Sequence, residues 1–433
     1  MRTPMRPDPG IRLLSGASGV GFILAICGSN AMTPLLPGYM DTHGFGPAAA
    51  SVLFATYFAA LILILLISAR GPLIRHSRKV LPIAFLAAIV GDLLQIVGAS
   101  VEWLLFPGRF LTGASVALST GAAAAIMVAA RGERGRSFIA SGSLIGAGTG
   151  LVAAIAIAVF LPWQLITVYA IHAVAMTICL GFLFAGLRAA PDLLRPELTA
   201  PASDPLPVDD AMTPAPSSAL TGDLDVAVTT PRKRDPGAYL IGALAWAIGA
   251  LAVGAMPNAI LATGASDSLL VAQCVGGACL LVSMSASLAG VGVRMVTTLP
   301  TVGALLVVGW SIAVVGLVLG RLEVILLGTV IGGIGQAGGY RVALAYITVG
   351  LSALEQGRVA ALFSAFAYSG AGVMVVLDGI AGQAAGTVGG AIAIGVVYAI
   401  VAVIAIGLVV RRGRTASPPA TAVSDRHEVG SAI

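Results

Sequence analysis

Charge is what this sequence has least of. Only 10% of its 433 residues are Asp, Glu, Lys or Arg, against about 25% in a soluble domain, so water is excluded as the main solvent of the chain. Lysine is nearly absent, occurring only at Lys79 and Lys233. Cysteine is scarce too. Cys27, Cys179, Cys274 and Cys279 lie inside apolar stretches without metal-ligand spacing, which leaves neither a disulfide framework nor a zinc site and makes them small core residues. The four histidines have no histidine partner at helical spacing, and the carboxylates are isolated. That argues against a membrane-embedded enzyme, which needs intramembrane metal ligands, a Ser-His dyad or paired carboxylates.

What is present is apolar sequence in long runs. The chain is 58% hydrophobic with a mean hydropathy of +0.99, and a helix needs about 20 apolar residues to cross a bilayer. Twelve such spans are predicted at 16–37, 47–69, 80–101, 104–130, 137–161 and 164–187, then at 238–262, 268–290, 295–319, 322–347, 357–382 and 387–410. Residues 188–236 separate the two sets. They hold nine of the 23 prolines and an acidic run from Asp204 to Asp225, a composition that predicts a disordered linker. The expected organisation is an all-α membrane protein with a six-helix bundle at 1–187, the linker, a second bundle at 237–411 and a tail at 412–433. Leu24-Ala25-Ile26-Cys27 is close to a lipoprotein cleavage box, but Ile26 is too bulky before the cysteine and the apolar run continues, so the first span is expected to be retained.

The net charge of +5 does not indicate nucleic acid, because the basic residues form short clusters between spans. With both termini on the cytoplasmic side, all of the 24 Lys and Arg except Arg109 and Arg321 fall toward the inner face, as the positive-inside rule requires. Abundant glycine, alanine and arginine point to bacterial coding, hence to a bacterial inner membrane. An internal repeat supports two halves. Glu133-Arg134-Gly135-Arg136 recurs as Glu355-Gln356-Gly357-Arg358, and at the same separation Gly148 and Gly150 answer Gly370 and Gly372. Ser68-x-x-Gly71-x-x-x-Arg75 likewise recurs as Ser287-x-x-Gly290-x-x-x-Arg294.

Three local motifs carry a family resemblance. After the second span, Arg70-Gly71-Pro72-Leu73-Ile74-Arg75-His76-Ser77-Arg78-Lys79 keeps the basic positions of a Gly-x-x-x-Asp-Arg-x-Gly-Arg-Lys loop, with Ile74 and Ser77 departing from it. In the fourth span, Arg109 is followed four residues later by Gly113. In the fifth, Gly142-x-x-x-Gly146-x-Gly148-x-Gly150 is similar to an antiporter glycine motif, with Ala147 in place of its proline. Together they resemble the major facilitator superfamily of solute transporters. The resemblance implies a central cavity between two bundles, alternating access and no cofactor. It also implies gating or packing roles for Gly71, Arg75, Arg78, Gly142, Gly146 and Gly150.

Arg109 and Asp92 are the expected proton-coupling residues. They sit at similar depth, about 21 Å and about 18 Å from the inner edge of the hydrocarbon core, and a buried pair costs less than two separate buried charges. Two alternatives stand beside the pair: Arg109 snorkels to the outer interface, and Asp92 is satisfied by Gln95. His172 is read as a packing residue. Asn30, Arg109, Thr112, Ser115, Trp246, Asn258, Gln336 and Tyr340 are the substrate-cavity candidates. The expected activity is proton-coupled export of a drug-like or lipophilic metabolite by a monomer in a lipid bilayer, with proton-coupled uptake of a small nutrient as the alternative.

Overall fold

The computed structural model describes residues 8–70, 73, 76–193, 235–289, 298–348 and 353–415. Gly71, Arg75, Gly290 and Arg294 of the loop repeat lie outside the described residues, as do residues 194–234 of the expected linker. Every regular element among the described residues is helical. In chain order these are α1 (Pro9–Ala31), α2 (Leu36–His43), α3 (Pro47–Ser68), α4 (Ser77–Gly98), α5 (Leu105–Arg131), α6 (Glu133–Phe160) and α7 (Gln164–Ala189). There follow α8 (Pro236–Gly254), α9 (Met256–Ala262), α10 (Leu269–Ala289), α11 (Leu299–Leu319), α12 (Leu322–Thr348) and α13 (Ala353–Thr415).

The helix starts follow from local chemistry. Asp8 accepts the backbone N–H of Gly10 at 2.8 Å with Pro9 at the first helical position. Asp235 does the same for Gly237 and Ala238, at 2.9 and 3.2 Å, with Pro236 at the first position of α8. An acceptor side chain before a proline satisfies the orphan donors of the first turn, and proline lacks the N–H that would be left over. The two Asp-Pro-Gly starts also pack alike. A Cβ on Gly10 would lie 2.6 Å from the Ala189 carbonyl at the end of α7, and one on Gly237 would lie 2.9 Å from the Ala405 carbonyl near the end of α13. Further on, both chains break at a proline: α1 gives way to a 3-10 turn at Thr33–Leu35, which contains Pro34, and α8 ends at Gly254, just before Pro257.

Among the described residues, ten helices are long and apolar enough to cross a membrane, and α3 adds a shorter apolar run at Val52–Ser68. One of the ten, α13, spans 63 residues and would extend about 95 Å if straight. It is not straight. Gly386 has φ 77°, ψ 162°, outside helical geometry, and a Cβ on Gly390 would meet the Gly382 backbone at 2.6 Å, so the chain reverses there. Phe363 and Val409, on opposite sides of the reversal, accordingly both reach the first part of α8, at Gly242 and Gly237. The architecture is therefore all-helical, with ten to twelve apolar spans. Ile83, Val174, Phe182, Val315, Val318, Ile400 and Val403 are exposed on its outer surface, and Trp103 and Trp163 stand out at the ends of two spans. A surface this apolar, with tryptophans at span ends, suits lipid.

Within the first part of the chain α1 packs on α5, α6 and α7, α4 on α5 and α7, and α3 on α5. In the second, α8 packs on α12 and α13, α11 on α12 and α13, and α10 on α12. The two parts meet where α3 crosses α13 and where α6 crosses α10. The glycine part of the repeat is corrected here. Gly148 faces Met284 on α10 and Gly150 faces Cys27 on α1, whereas Gly370 faces Ala243 on α8 and Gly372 faces Phe58 on α3. Residues two apart on a helix point about 200° apart, so the aligned glycines occupy opposite environments. Cys274 is also corrected: it is exposed, whereas Cys179 and Cys279 are buried and Cys27 half-buried.

Candidate functional site

A cavity opens where α1, α3, α5, α6, α8, α10, α12 and α13 converge. Its space, including the part open to the exterior, is about 460 Å³, and Asn30, Arg109, Trp246 and Gln336 line it together with Ser29, Phe54, Tyr57, Phe58 and Tyr368. Four of the eight residues expected to bind substrate thus come together. Tyr340 stands behind Trp246, ring centroids 5.8 Å apart, with its hydroxyl on Ser364 at 2.7 Å.

Arg109 is fully buried. Its Nη1 donates to the Ser29 carbonyl of α1 at 3.0 Å, and its guanidinium carbon lies 5.9 Å from the Phe54 ring centre and 5.1 Å from that of Tyr57. Stacking on two ring faces attracts a cation that has lost its water, but it satisfies no N–H. Among the described residues, Nε and Nη2 have no hydrogen-bond partner. Neither has Trp246 Nε1, nor Gln336 Nε2, whose amide oxygen accepts from Ser283 Oγ at 2.7 Å. Gly249 provides the room for that amide, since a Cβ there would overlap Gln336. The wall therefore presents N–H donors without acceptors. Buried donors are nearly always paired in folded proteins, so a cluster of unpaired ones around one cavity calls for an acceptor to complete it.

Thr112 and Ser115 do not line the cavity. Thr112 accepts from Gln95 Nε2 at 3.2 Å and donates to the Gly108 carbonyl at 3.0 Å, so it joins α5 to α4, and Ser115 is buried in the bundle. Asn258 lines a second, wider pocket with Asp378 and Thr387. Phe54 belongs to both cavities and separates them.

The expected pairing of Asp92 with Arg109 is not the one formed. Asp92 Oδ2 lies 2.7 Å from Nδ1 of His172 on α7, and His172 Nε2 lies 2.8 Å from the Leu24 carbonyl of α1. Depth along the membrane normal says nothing about direction around the helix axis. Gly108 faces α4, where a Cβ would meet the Gly91 carbonyl at 3.1 Å; Arg109, one residue or about 100° on, turns to α1 and α3 instead. Glu102 and Glu323, near the ends of other spans, are exposed, the latter paired with Arg321.

The glycines of α6 pack. A Cβ on Gly146 would lie 2.7 Å from the Ile23 carbonyl, one on Gly150 would overlap the Cys27 carbonyl, and one on Gly142 would touch Phe22 at 3.3 Å. Small residues at this spacing let the α6 and α1 backbones meet. Arg78 closes the end of α7, donating to the carbonyls of Leu187, Ala190 and Leu193 at 2.7, 2.7 and 2.8 Å. Sequence reasoning missed Phe54, Tyr57 and Phe58, although their i, i+3, i+4 spacing marks one helix face, and it missed the role of His172, for which there is no local signal.

No protein-family model matches the chain, and no curated protein does. Solved structures do. A POT family transporter in complex with 5-aminolevulinic acid is 15% identical, over 95% of this chain and 97% of that one, with a TM-score of 0.67. A bacterial homologue of the iron transporter ferroportin in an outward-facing state is 13% identical over 93% and 99%, with a TM-score of 0.59. A POT family transporter with a thioalcohol-conjugated peptide is 16% identical over 94% and 97%, with a TM-score of 0.60. The chain has the fold these transporters share, the major facilitator fold.

Proposed function

We propose that the chain is a secondary active transporter that carries a small organic acid with an apolar or aromatic body across a membrane by alternating access. The observation that carries this reading is the set of unpartnered N–H donors on Arg109, Trp246 and Gln336 around one aromatic cavity. A carboxylate supplies the missing acceptors and the missing negative charge, and charge-assisted hydrogen bonds to arginine are the strong ones. Phe54, Tyr57, Phe58 and Tyr368 suit the rest of such a molecule. One fold neighbour holds 5-aminolevulinic acid, itself a small carboxylate.

The twelve spans form two six-helix halves, 1–187 and 237–411, joined by a linker at 188–236 and followed by a tail at 412–433. The matching Asp-Pro-Gly starts of α1 and α8 and the reversal at Gly386 support this count. Transport is export coupled to protons, by a monomer in the bacterial inner membrane with both termini inside. The glycine face of α6 supports export through its resemblance to the antiporter motif, and the basic clusters support the orientation.

The test is a binding panel on the purified full chain in nanodiscs, read by thermal stabilisation. Benzoate, indole-3-acetate and 5-aminolevulinate are compared with the amides of the same molecules and with tetraethylammonium. Stabilisation by carboxylates that is lost in Arg109→Met supports the reading. Stabilisation by the amides or the cation alone sinks it. Flux of the best ligand in proteoliposomes under an imposed pH gradient then decides between export and uptake.

A further inference from the structure

The structure assigns the proton-binding site to the Asp92–His172 pair, and the mechanical readout of its proton to the Leu24–Ser29 stretch of α1. This rests on the transporter reading above and deepens it, by naming the site that couples protons to the cavity.

A carbonyl oxygen only accepts, so the imidazole nitrogen 2.8 Å from the Leu24 carbonyl, Nε2, carries hydrogen. The other nitrogen, Nδ1, is 2.7 Å from Asp92 Oδ2. At that distance one proton must lie between them, whether it is formally the acid's or the imidazolium's. Asp92 is 2% and His172 10% exposed, so water does not take its place. Remove the proton and two lone pairs face each other across 2.7 Å. If the ring shifts its remaining hydrogen to Nδ1, the clash moves to the Leu24 carbonyl. Both contacts hold together only while the pair is protonated.

The proton therefore governs whether His172 of α7 holds the Leu24 carbonyl of α1. His172 sits where α1 has no side chain, since a Cβ on Gly28 would overlap its ring. At the next residue of α1, the Ser29 carbonyl accepts from Arg109, and Asn30 lines the cavity. The same stretch of helix is thus held from one side by the proton site and from the other by the cavity arginine. Loss of the proton frees the Leu24 side, and a carboxylate drawing Arg109 away frees the Ser29 side. This makes α1 the element on which both ligands act, as coupling between two sites requires.

Among the described residues, the other charged groups on the helices packed around the pair are Arg109 and groups near helix ends, which on α6 are Glu133, Arg134 and Arg136 at its start. Beside the pair, α1 carries no charged side chain beyond Arg12, α4 has only Arg78 and Lys79 at its start, and α7 has only Arg188 at its end. On α5 the charges are Arg109 and the distant Arg131. Tyr169 lies within electrostatic reach of Asp92 and Arg109, and also of Tyr39 on α2. Tyrosine and arginine ordinarily titrate at about 10 and above about 12.

Two measurements on the solute-free full chain in nanodiscs test the assignment. The first is the 15N spectrum of the imidazole in a variant with His43, His76 and His427 changed to Gln, so that His172 alone reports. Nε2 is expected to be protonated at neutral pH, with Nδ1 either protonated or strongly hydrogen-bonded. A neutral ring with hydrogen on Nδ1 and a bare Nε2 overturns the proposal. The second is spin-label distances across the α3–α13 and α6–α10 contacts as a function of pH. The parent is expected to shift between two populations along a one-proton curve. Asp92→Asn, whose amide donates as the protonated acid does, is expected to stay in the low-pH population throughout, and His172→Gln is expected to lose the response. An unchanged pH curve in Asp92→Asn overturns the assignment, as does a parent that shows no pH response. Neither readout needs a solute, so failure of the carboxylate panel and failure of this proposal are separate results.

Discussion

Arg109 gives one of its N–H groups to the Ser29 carbonyl at 3.0 Å and keeps Nε and Nη2 unpartnered in a buried site. A charge placed this way is held by its surroundings and left incomplete by them. On the carboxylate reading proposed above, a bound acid would supply the acceptors that Nε and Nη2 lack.

That incompleteness is measurable. Arg109→Met removes the buried, unpaired charge, and replacing buried charges with apolar residues of similar volume is neutral or stabilising by about 1–4 kcal/mol. The solute-free variant is expected to melt at or above the parent temperature and to bind carboxylates about 10- to 100-fold more weakly, the loss of one charged hydrogen bond of about 1.5–3 kcal/mol. A variant that melts well below the parent would show the guanidinium to be structural. Arg109→Lys should lose binding too, since a point charge cannot reproduce the planar fork.

The contact between α6 and α1 gives a second prediction. Gly146→Ala drives a methyl group against the Ile23 backbone, which cannot swing aside as a side chain would, and overpacking of this kind costs about 1–3 kcal/mol. Gly181→Ala, in α7 with open space around it, should instead stabilise by up to about 1 kcal/mol through helix propensity. Thermal denaturation of both variants in the same nanodiscs checks the contrast. Equal effects would mean that the two helices do not meet as closely as the glycines permit.

Arg78 should behave as a helix cap. The carbonyls of Leu187 and Ala190 lie at the end of α7, where orphan acceptors form the negative end of the helix dipole, and that of Leu193 lies in the turn just beyond. Arg78→Ala is expected to destabilise by about 1–2 kcal/mol while leaving the affinity for carboxylates within about twofold. Hydrogen exchange should rise at residues 186–193 and not around the cavity.

Orientation is tested by labelling. Cysteines replacing Asp41 and Asp267, both exposed, are expected to react with an impermeant maleimide added to whole cells, after the native cysteines are changed to alanine. His76→Cys, also exposed, is expected to react only after permeabilisation. The reverse pattern would place both termini outside.

What the sequence determined by itself is whatever depends on neighbours along the chain. Hydropathy over about 20 residues is a local sum, so the spans were legible, and the backbone hydrogen bonds of a membrane segment must close within it, which makes each span a helix. The Asp-Pro-Gly starts at Asp8 and Asp235 are legible in the same way. Of the eight substrate-cavity candidates, Asn30, Arg109, Trp246 and Gln336 line one cavity, whereas Thr112, Ser115, Asn258 and Tyr340 do not line it. Direction around a helix axis in the assembled bundle was decided elsewhere. Asp92 and Arg109 share a depth, yet α4 turns one toward α7 and α5 turns the other toward α1 and α3, because Gly91 and Gly108 let those two helices approach only along one face. The partner of Asp92 is His172, 80 residues along the chain. A lone histidine in an apolar run looks the same whether it packs or holds a proton, and only the fold brings the Leu24 carbonyl and the Asp92 carboxylate to its two nitrogens.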